Sequence, residues 1–176
     1  MRIIAGQWRG RRLNVPPGRD VRPTSDRVRE ALFSILGPIE GAAVLDLFAG
    51  SGALALEALS RGAGRATLVE RAPAALKAIA ANLQALGAQA DVRDRDVRAF
   101  VRDASAASGP YDLVFLDPPY REAAGLGPQL DLTPLLAAGA RVVSESDRRE
   151  PLALPGLVVA DERRYGDTLI RIHRIP

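Results

Sequence analysis

The sequence predicts an α/β fold built on a mainly parallel, doubly wound sheet, on three observations. From residue 43 onward, short apolar runs alternate with longer segments of helical periodicity. The helical segments are closed by glycine, as at Gly62 and Gly87, where left-handed backbone carries no steric cost. The run YDLVFLD, residues 111–117, is bounded by Gly109-Pro110 and Pro118-Pro119 and reads as a strand covered on both faces, a mark of parallel sheets.

In chain order, RIIAGQWRGRRLNVP (residues 2–16) has two β-like pieces around a turn at Gly6 to Gly10 and predicts a small hairpin. RPTSDRVREALFSIL predicts a helix capped by Thr24 or Ser25. Val28, Ala31, Leu32, Ile35 and Leu36 share one of its faces and are expected to meet the sheet. AAVLDLF (42–48) is the first strand of the alternating part, and SGALALEALSRGA its helix. ATLVE (66–70) is the second, followed by a helix over 72–87 with Pro73 in its first turn. QADVRD (89–94) predicts the third strand, VRAFVRDAS (97–105) a short helix, and YDLVFLD the fourth strand. LDLTPLLAAG (130–139) predicts a weaker helix, and ARVVSES (140–146) a fifth strand. The end, LVVADERRYGDTLIRIHRI, predicts two strands joined by a turn at YGDT. Two units are expected, a basic hairpin extension over 1–20 and the α/β domain over 21–176.

The 176 residues, 47% of them hydrophobic, suffice for one domain with a full core. With no cysteine and a single histidine, His173, neither disulfides nor a zinc centre is expected, and His173 is assigned a structural place. No run is long and apolar enough for a membrane span, nor does the start resemble a signal peptide, so a cytoplasmic protein without a membrane partner is expected. The net charge of +3 is unevenly spread: Arg2, Arg9, Arg11, Arg12, Arg19, Arg22, Arg27 and Arg29 against Asp20 and Asp26 give +6 over residues 1–29, leaving −3 for the rest. Clustered arginine suits phosphate neutralisation, and it suits a plain solvated arm as well. Trp8 lies among these arginines, placed either to stack on an unpaired base or to form the hairpin's own core.

DLFAGSGALALE puts Gly50 and Gly52 between the first strand and its helix, where small residues let a ligand approach the backbone. GSGALA also fits a dinucleotide fingerprint, with Glu70 twenty residues beyond Gly50, so a nicotinamide enzyme is a competing reading. The acids argue otherwise. Asp46 sits inside the strand end, and further acids recur after the second and third strands, Glu70 and Asp94 or Asp96. A row of carboxylates suits a cationic, phosphate-free cofactor with ribose hydroxyls and an adenine amino group, which describes S-adenosylmethionine.

The fourth strand runs into Asp117-Pro118-Pro119-Tyr120. An exocyclic amine on a base is a poor nucleophile because its lone pair is delocalised into the ring. Two fixed acceptors on its N–H bonds, the Asp117 carboxylate and the Pro118 carbonyl, would turn that lone pair toward a methyl donor. The prolines lock the corner, and Tyr120 offers a stacking face. The base must be extruded or already unpaired to enter.

The stretches DLFAGSGALALEALSRGA, DPPY, RPTSDRVREALF and RYGDT, with RIIAG and RGRRL at the start, resemble in order the RsmD family of bacterial 16S ribosomal RNA guanine-N2 methyltransferases. The resemblance spans nearly the whole chain. It implies a Rossmann-like class I methyltransferase fold with seven strands, the last antiparallel, and an N-terminal hairpin that engages RNA. It implies S-adenosylmethionine held by Asp46, Phe48, Ala49, Gly50, Ser51, Gly52, Glu70, Asp96, Val97 and Asp117; Arg71, where the family often has a small or acidic residue, is a departure and is expected at the same site. Glu70 would hold the ribose, Asp96 and the Val97 backbone the adenine, and Asp46 with Gly50 and Gly52 the methionine part. Asp117, Pro118, Pro119 and Tyr120 would form the catalytic corner. RNA would meet Arg9, Arg11, Arg12, Arg22, Arg27 and Tyr165, in a small ribosomal subunit, with the enzyme a monomer. Competing readings are an adenine-N6 methyltransferase, a glutamine-modifying enzyme, which would favour Asn at position 117, and a non-catalytic RNA-binding assembly factor.

Overall fold

Seven strands form a single sheet in the computed structural model, which describes residues 1–17, 26–103, 109–123 and 125–176. They are β1 (Ala43–Leu47), β2 (Arg65–Glu70), β3 (Asp91–Asp94), β4 (Tyr111–Leu116), β5 (Leu136–Asp147), β6 (Val158–Tyr165) and β7 (Thr168–Arg174). The order is β3-β2-β1-β4-β5-β7-β6, parallel from β3 to β5, with β7 antiparallel to both β5 and β6. The strand order reverses between β1 and β4. Ligands collect at such a point, beyond the carboxyl ends of the strands.

Helices α1 (Asp26–Leu36), α2 (Ala53–Ser60) and α3 (Pro73–Leu86) pack with the N-terminal segment on one face, sharing a core with Val44, Leu68, Leu113, Phe115, Val143 and Ile170. Helix α4 (Val97–Asp103), residues 126–135 and residues 152–154 cover the other face, against Leu45, Leu47, Val69, Val114 and Leu116. Strand β4 is buried at every position except Asp112, as its unbroken apolar run requires. Gly87 closes α3 in the left-handed conformation, at φ 64°.

The doubly wound expectation is met, with local corrections. Residues 130–139 are not a helix: two single 3₁₀ turns, Gly127–Gln129 and Thr133–Leu135, lead directly into β5. Pro134 lacks the N–H that a helix would need there, and Leu130, Leu132 and Leu135 are all buried at spacings no single helical face satisfies. Strand β5 therefore starts at Leu136 rather than Ala140, with Leu136 level with Tyr111 across the sheet. Strand β3 begins at Asp91 rather than at Gln89, and all four of its residues are exposed.

On α1 the buried set is Arg29, Leu32, Phe33 and Leu36, while Ile35 is 38% exposed. Phe33 turns the helix inward by meeting Phe115 at 5.8 Å between ring centroids. Arg29 follows it, bonding the Arg2 carbonyl at 2.6 Å and the Asp26 carboxylate at 2.7 Å. The capping candidates Thr24 and Ser25, and residues 104–105 of the expected fourth helix, lie outside the described residues.

The N-terminal segment closes as a hairpin with a single antiparallel bridge, Arg2 to Arg12. Ile3 and Leu13 are buried in the core beneath it. Its backbone is fastened to α2: the fully buried Glu57 carboxylate accepts the Ile4 and Ala5 N–H groups at 2.7 and 3.1 Å and also pairs with Arg61. Gly6 presses so closely on the end of α2 that a Cβ there would stand 1.7 Å from the Ser60 carbonyl oxygen.

Candidate active site

The loop between β1 and α2 is a chain of left-handed residues. Phe48 has φ 64°, Gly50 61° and Gly52 79°. A non-glycine residue in that region costs about 1–2 kcal/mol, which surrounding bonds must hold in place. They do so from three sides. The Gly50 N–H donates to the Glu70 carboxylate at 2.8 Å, the Ser51 carbonyl accepts from Asn82 at 2.9 Å, and the Gly52 N–H closes on the Ala49 carbonyl at 2.7 Å. Gly52 needs glycine for φ, and a Cβ there would also stand 2.9 Å from a terminal methyl of Leu68, which would have to shift.

Asp46 lies at the end of β1 under this loop and is 2% exposed. One of its oxygens accepts the Ala55 N–H at 3.1 Å, capping α2 from below. Burial pushes its carboxyl up to about 7, with the nearby Glu70 charge adding and the Ala55 bond opposing. A buried carboxylate so placed favours a positively charged neighbour. Glu70, also buried, turns its second oxygen to the Arg71 and Ala72 N–H groups, both at 2.9 Å, and so shapes the start of α3.

Asp96 and Asp94 part company. Asp94 ends the exposed strand β3, whereas Asp96 caps α4, accepting the Arg98 and Ala99 N–H groups at 2.9 and 3.2 Å. The other Asp96 oxygen meets the Arg71 guanidinium at 3.0 Å, and Arg71 also reaches Glu122 at 3.1 Å. Arg71 and Glu122 of this ion-paired bridge line an open cleft together with Phe48, Glu70, Ala72, Arg95, Val97 and Pro119.

Asp117 follows β4 directly after Leu116, which is level with Leu47 across the sheet, so it leaves β4 at the same edge at which Phe48 leaves β1. Asp117 is half-buried and Pro118 buried. The Pro119 carbonyl accepts the Glu122 and Ala123 N–H groups at 2.8 and 3.1 Å. Tyr120 opens the short helix α5 (Tyr120–Ala123). The Asp117-Pro118-Pro119 corner and the glycine loop thus follow neighbouring strands at the switch point.

The residues expected to meet RNA are spread more widely. Arg9, Arg12 and Arg27 are exposed, Arg11 donates to the Ala85 carbonyl at the end of α3, and Arg22 lies outside the described residues. The hairpin tip lies against Ser60, at the far end of α2 from Gly52, about 12 Å along the helix. Trp8 is half-buried against the core. Tyr165 ends β6, on the same edge as the glycine loop, half-buried in a groove with Leu32, Ile35 and Ile172. The adjacent Asp167 pairs with Arg148 at 3.4 Å. His173 is buried and meets Ser144 at 2.8 Å, far in sequence from every loop of the site.

Reading the sequence overlooked Glu57, Asn82 and Glu122. The first two carried a signal, as polar residues within the largely apolar stretches ALALEAL and AIAANL. Glu122 lies five residues past Asp117, on a helix of four residues that has no detectable periodicity.

Fold and site define a Rossmann-like class I methyltransferase architecture. It is shared with the ribosomal protein L11 methylase of Lactobacillus delbrueckii subsp. bulgaricus, 18% identical, TM-score 0.71 over 90% of this chain and 82% of that one. The same fold holds SAH in SMU.776, 16% identical, TM-score 0.67 over 85% of this chain and 48% of that one. The chain belongs to the family described as conserved hypothetical protein 95, whose model matches residues 1–174. The solved Escherichia coli protein yhhF is 42% identical, with a TM-score of 0.83 over 98% of this chain and 96% of that one. Ribosomal RNA small subunit methyltransferase D of Escherichia coli K12 is 50% identical over 123 residues, which are 69% of this chain and 61% of that relative's length. The RsmD resemblance seen in the motifs is borne out by these relatives.

Proposed function

We propose that the protein transfers a methyl group from S-adenosylmethionine to the exocyclic N2 amine of a guanine in 16S ribosomal RNA. The observation that carries this reading is the Asp117-Pro118 corner standing one strand away from the glycine loop, above a buried Asp46 whose carboxyl sits near 7. The donor set fits the cofactor: Asp46 favours a cation, Glu70 and Asp96 offer acceptors to hydroxyl and amino groups, and the glycine loop lets its backbone be approached. When bound, S-adenosylmethionine supplies an electrophilic methyl on a sulfonium.

The chain's residues do the rest by placement. Asp46 with Phe48, Ala49, Gly50, Ser51 and Gly52 would hold the methionine part, Glu70 the ribose, and Asp96 with Val97 the adenine, while Arg71 lines the cleft. Asp117 would accept one amine N–H and the Pro118 carbonyl the other. The Pro119 carbonyl is engaged in the first turn of α5, which fixes the corner rather than the base. Both acceptors direct the amine's lone pair toward the methyl group, and the proton released on transfer is taken up by Asp117 or by solvent. Arg9, Arg11, Arg12, Arg22 and Arg27 would neutralise RNA phosphates, and Tyr165 would border the base's entry. The natural substrate is a small ribosomal subunit in the cytoplasm, met by a monomer.

Labelled methyl transfer from S-adenosylmethionine to small subunits lacking the modification, followed by nucleoside analysis, tests this. N2-methylguanosine supports it. N6-methyladenosine moves the assignment to the adenine reading, and no label despite measured cofactor binding removes the enzyme reading for this substrate. Asp117→Ala should abolish transfer while subunit affinity stays within a factor of a few.

A further inference from the structure

We infer that Asn82 is a positioning residue that couples the N-terminal basic arm to the cofactor loop, so that RNA and cofactor bind cooperatively through it. The inference rests on the methyl-transfer reading above. Asn82 lies in α3 and is fully buried. Its Oδ1 accepts the Asn14 N–H at 2.7 Å, and its Nδ2 donates to the Asn14 carbonyl at 3.0 Å and to the Ser51 carbonyl at 2.9 Å. One N–H and two carbonyls leave no choice of amide orientation: only this one satisfies all three.

The two ends of this contact matter for different reasons. Asn14 is where the arm leaves the hairpin, immediately after Arg11, Arg12 and the buried Leu13. Ser51 is the residue between the two left-handed glycines. The peptide joining Ser51 to Gly52 is pinned on both sides, its carbonyl by Asn82 and its N–H by Ala49, so the path of the loop depends on Asn82. Met1 touches the same residue, its Sδ 3.7 Å from the Ser51 Oγ, so both ends of the arm converge on Ser51. No other natural side chain can replace this amide: Asp lacks the donors, Gln is one methylene too long for a packed site, and Ala leaves the buried Ser51 carbonyl without this partner and releases both Asn14 backbone groups. A load on the arm therefore reaches the loop through one buried side chain, and ordering of either end reduces what the other must still order. The coupling is reciprocal by linkage.

The test measures the dissociation constant of S-adenosylhomocysteine by calorimetry, with and without saturating small ribosomal subunits lacking the modification, on full-length protein. In the wild type, subunits are expected to tighten the cofactor product at least fivefold. Asn82→Ala is expected to weaken it at least tenfold on its own and to reduce the coupling below twofold. Asn82→Asp keeps the acceptor for the Asn14 N–H but loses the donors to the Asn14 and Ser51 carbonyls; because the arm retains one of its two bonds and the loop none, it should weaken S-adenosylhomocysteine more than it weakens subunit binding. If the Asn82 variants do not fold, Asn14→Pro at an exposed position removes the N–H that meets Asn82 and keeps the carbonyl. It should leave S-adenosylhomocysteine affinity within threefold while cutting the coupling below twofold. A lowered melting temperature with coupling unchanged, in any of these variants, overturns the inference, as does independent binding of the two ligands by the wild type. Failure of the wild type to bind S-adenosylhomocysteine at all would instead overturn the methyl-transfer reading.

Discussion

Replacing Asp46 with Asn should make the protein more stable and less able to hold its cofactor. The Asp46 carboxyl is buried and raised from 3.8 to about 7. For a carboxyl raised on folding, the unfolded chain releases its proton first, so stability is fully present below pH 3.8 and falls as pH rises to 7, beyond which the penalty is constant. A difference of about 3 pH units at 1.36 kcal/mol per unit sets a ceiling of about 4 kcal/mol at pH 8, and roughly half of that at pH 5.5. Asn keeps the shape and an oxygen for the Ala55 N–H, so the penalty is removed and the cap stays. Allowing for water penetration, we expect Asp46→Asn to gain about 1–3 kcal/mol at pH 8 in urea unfolding, and about half as much at pH 5.5. The same variant should bind S-adenosylmethionine at least tenfold more weakly. Wild-type affinity for this cation should fall below pH 7, as Asp46 takes up a proton. A variant less stable than wild type at pH 8, with unchanged unfolding slope, would refute the reasoning, because the buried charge would then be stabilising.

Three further outcomes are expected. Gly6→Ala should cost about 3 kcal/mol or more, since it combines left-handed backbone with a Cβ 1.7 Å from the Ser60 oxygen; Gly10→Ala, at the same φ of 82° with open space, should cost about 1 kcal/mol by chemical denaturation. His173, lowered to about 4 by burial and the Arg171 charge, should make the protein lose stability as pH falls from 6.5 to 4, and His173→Gln should flatten that limb of the profile. Arg9→Glu with Arg12→Glu should weaken subunit binding at least tenfold and reduce its salt dependence, with S-adenosylhomocysteine affinity changed less than threefold. Point changes are the right tool here, because deleting residues 1–15 would also strip Ile3 and Leu13 from the core and leave Glu57 buried without its backbone partners.

How much was legible in the residues depends on the range of the interaction. Strands β1, β2 and β4 and helices α2 and α3 follow from local periodicity, closing glycines and Pro73, all of which act within one turn or one strand. The glycine loop and the DPPY corner were legible for the same reason: left-handed backbone and locked φ are properties of the residues themselves. Residues 130–139 misled, because leucine and alanine suit helix and buried coil equally, and Pro134 with the pairing to Tyr111 decided between them.

By itself, then, the sequence determined the alternation of elements, the parallel sheet and the chemistry gathered at its carboxyl edge, since each rests on short-range backbone preference and on the burial of apolar runs. Only the tertiary structure decided which face of α1 turns inward, that Asp96 rather than Asp94 meets Arg71, and that the arm is fastened through Glu57, Ser60 and Asn82. These depend on partners as far apart in the chain as Phe33 and Phe115. A single polar side chain in an apolar helix announces that it needs a partner, but which backbone group meets it is fixed by the packing of the whole layer.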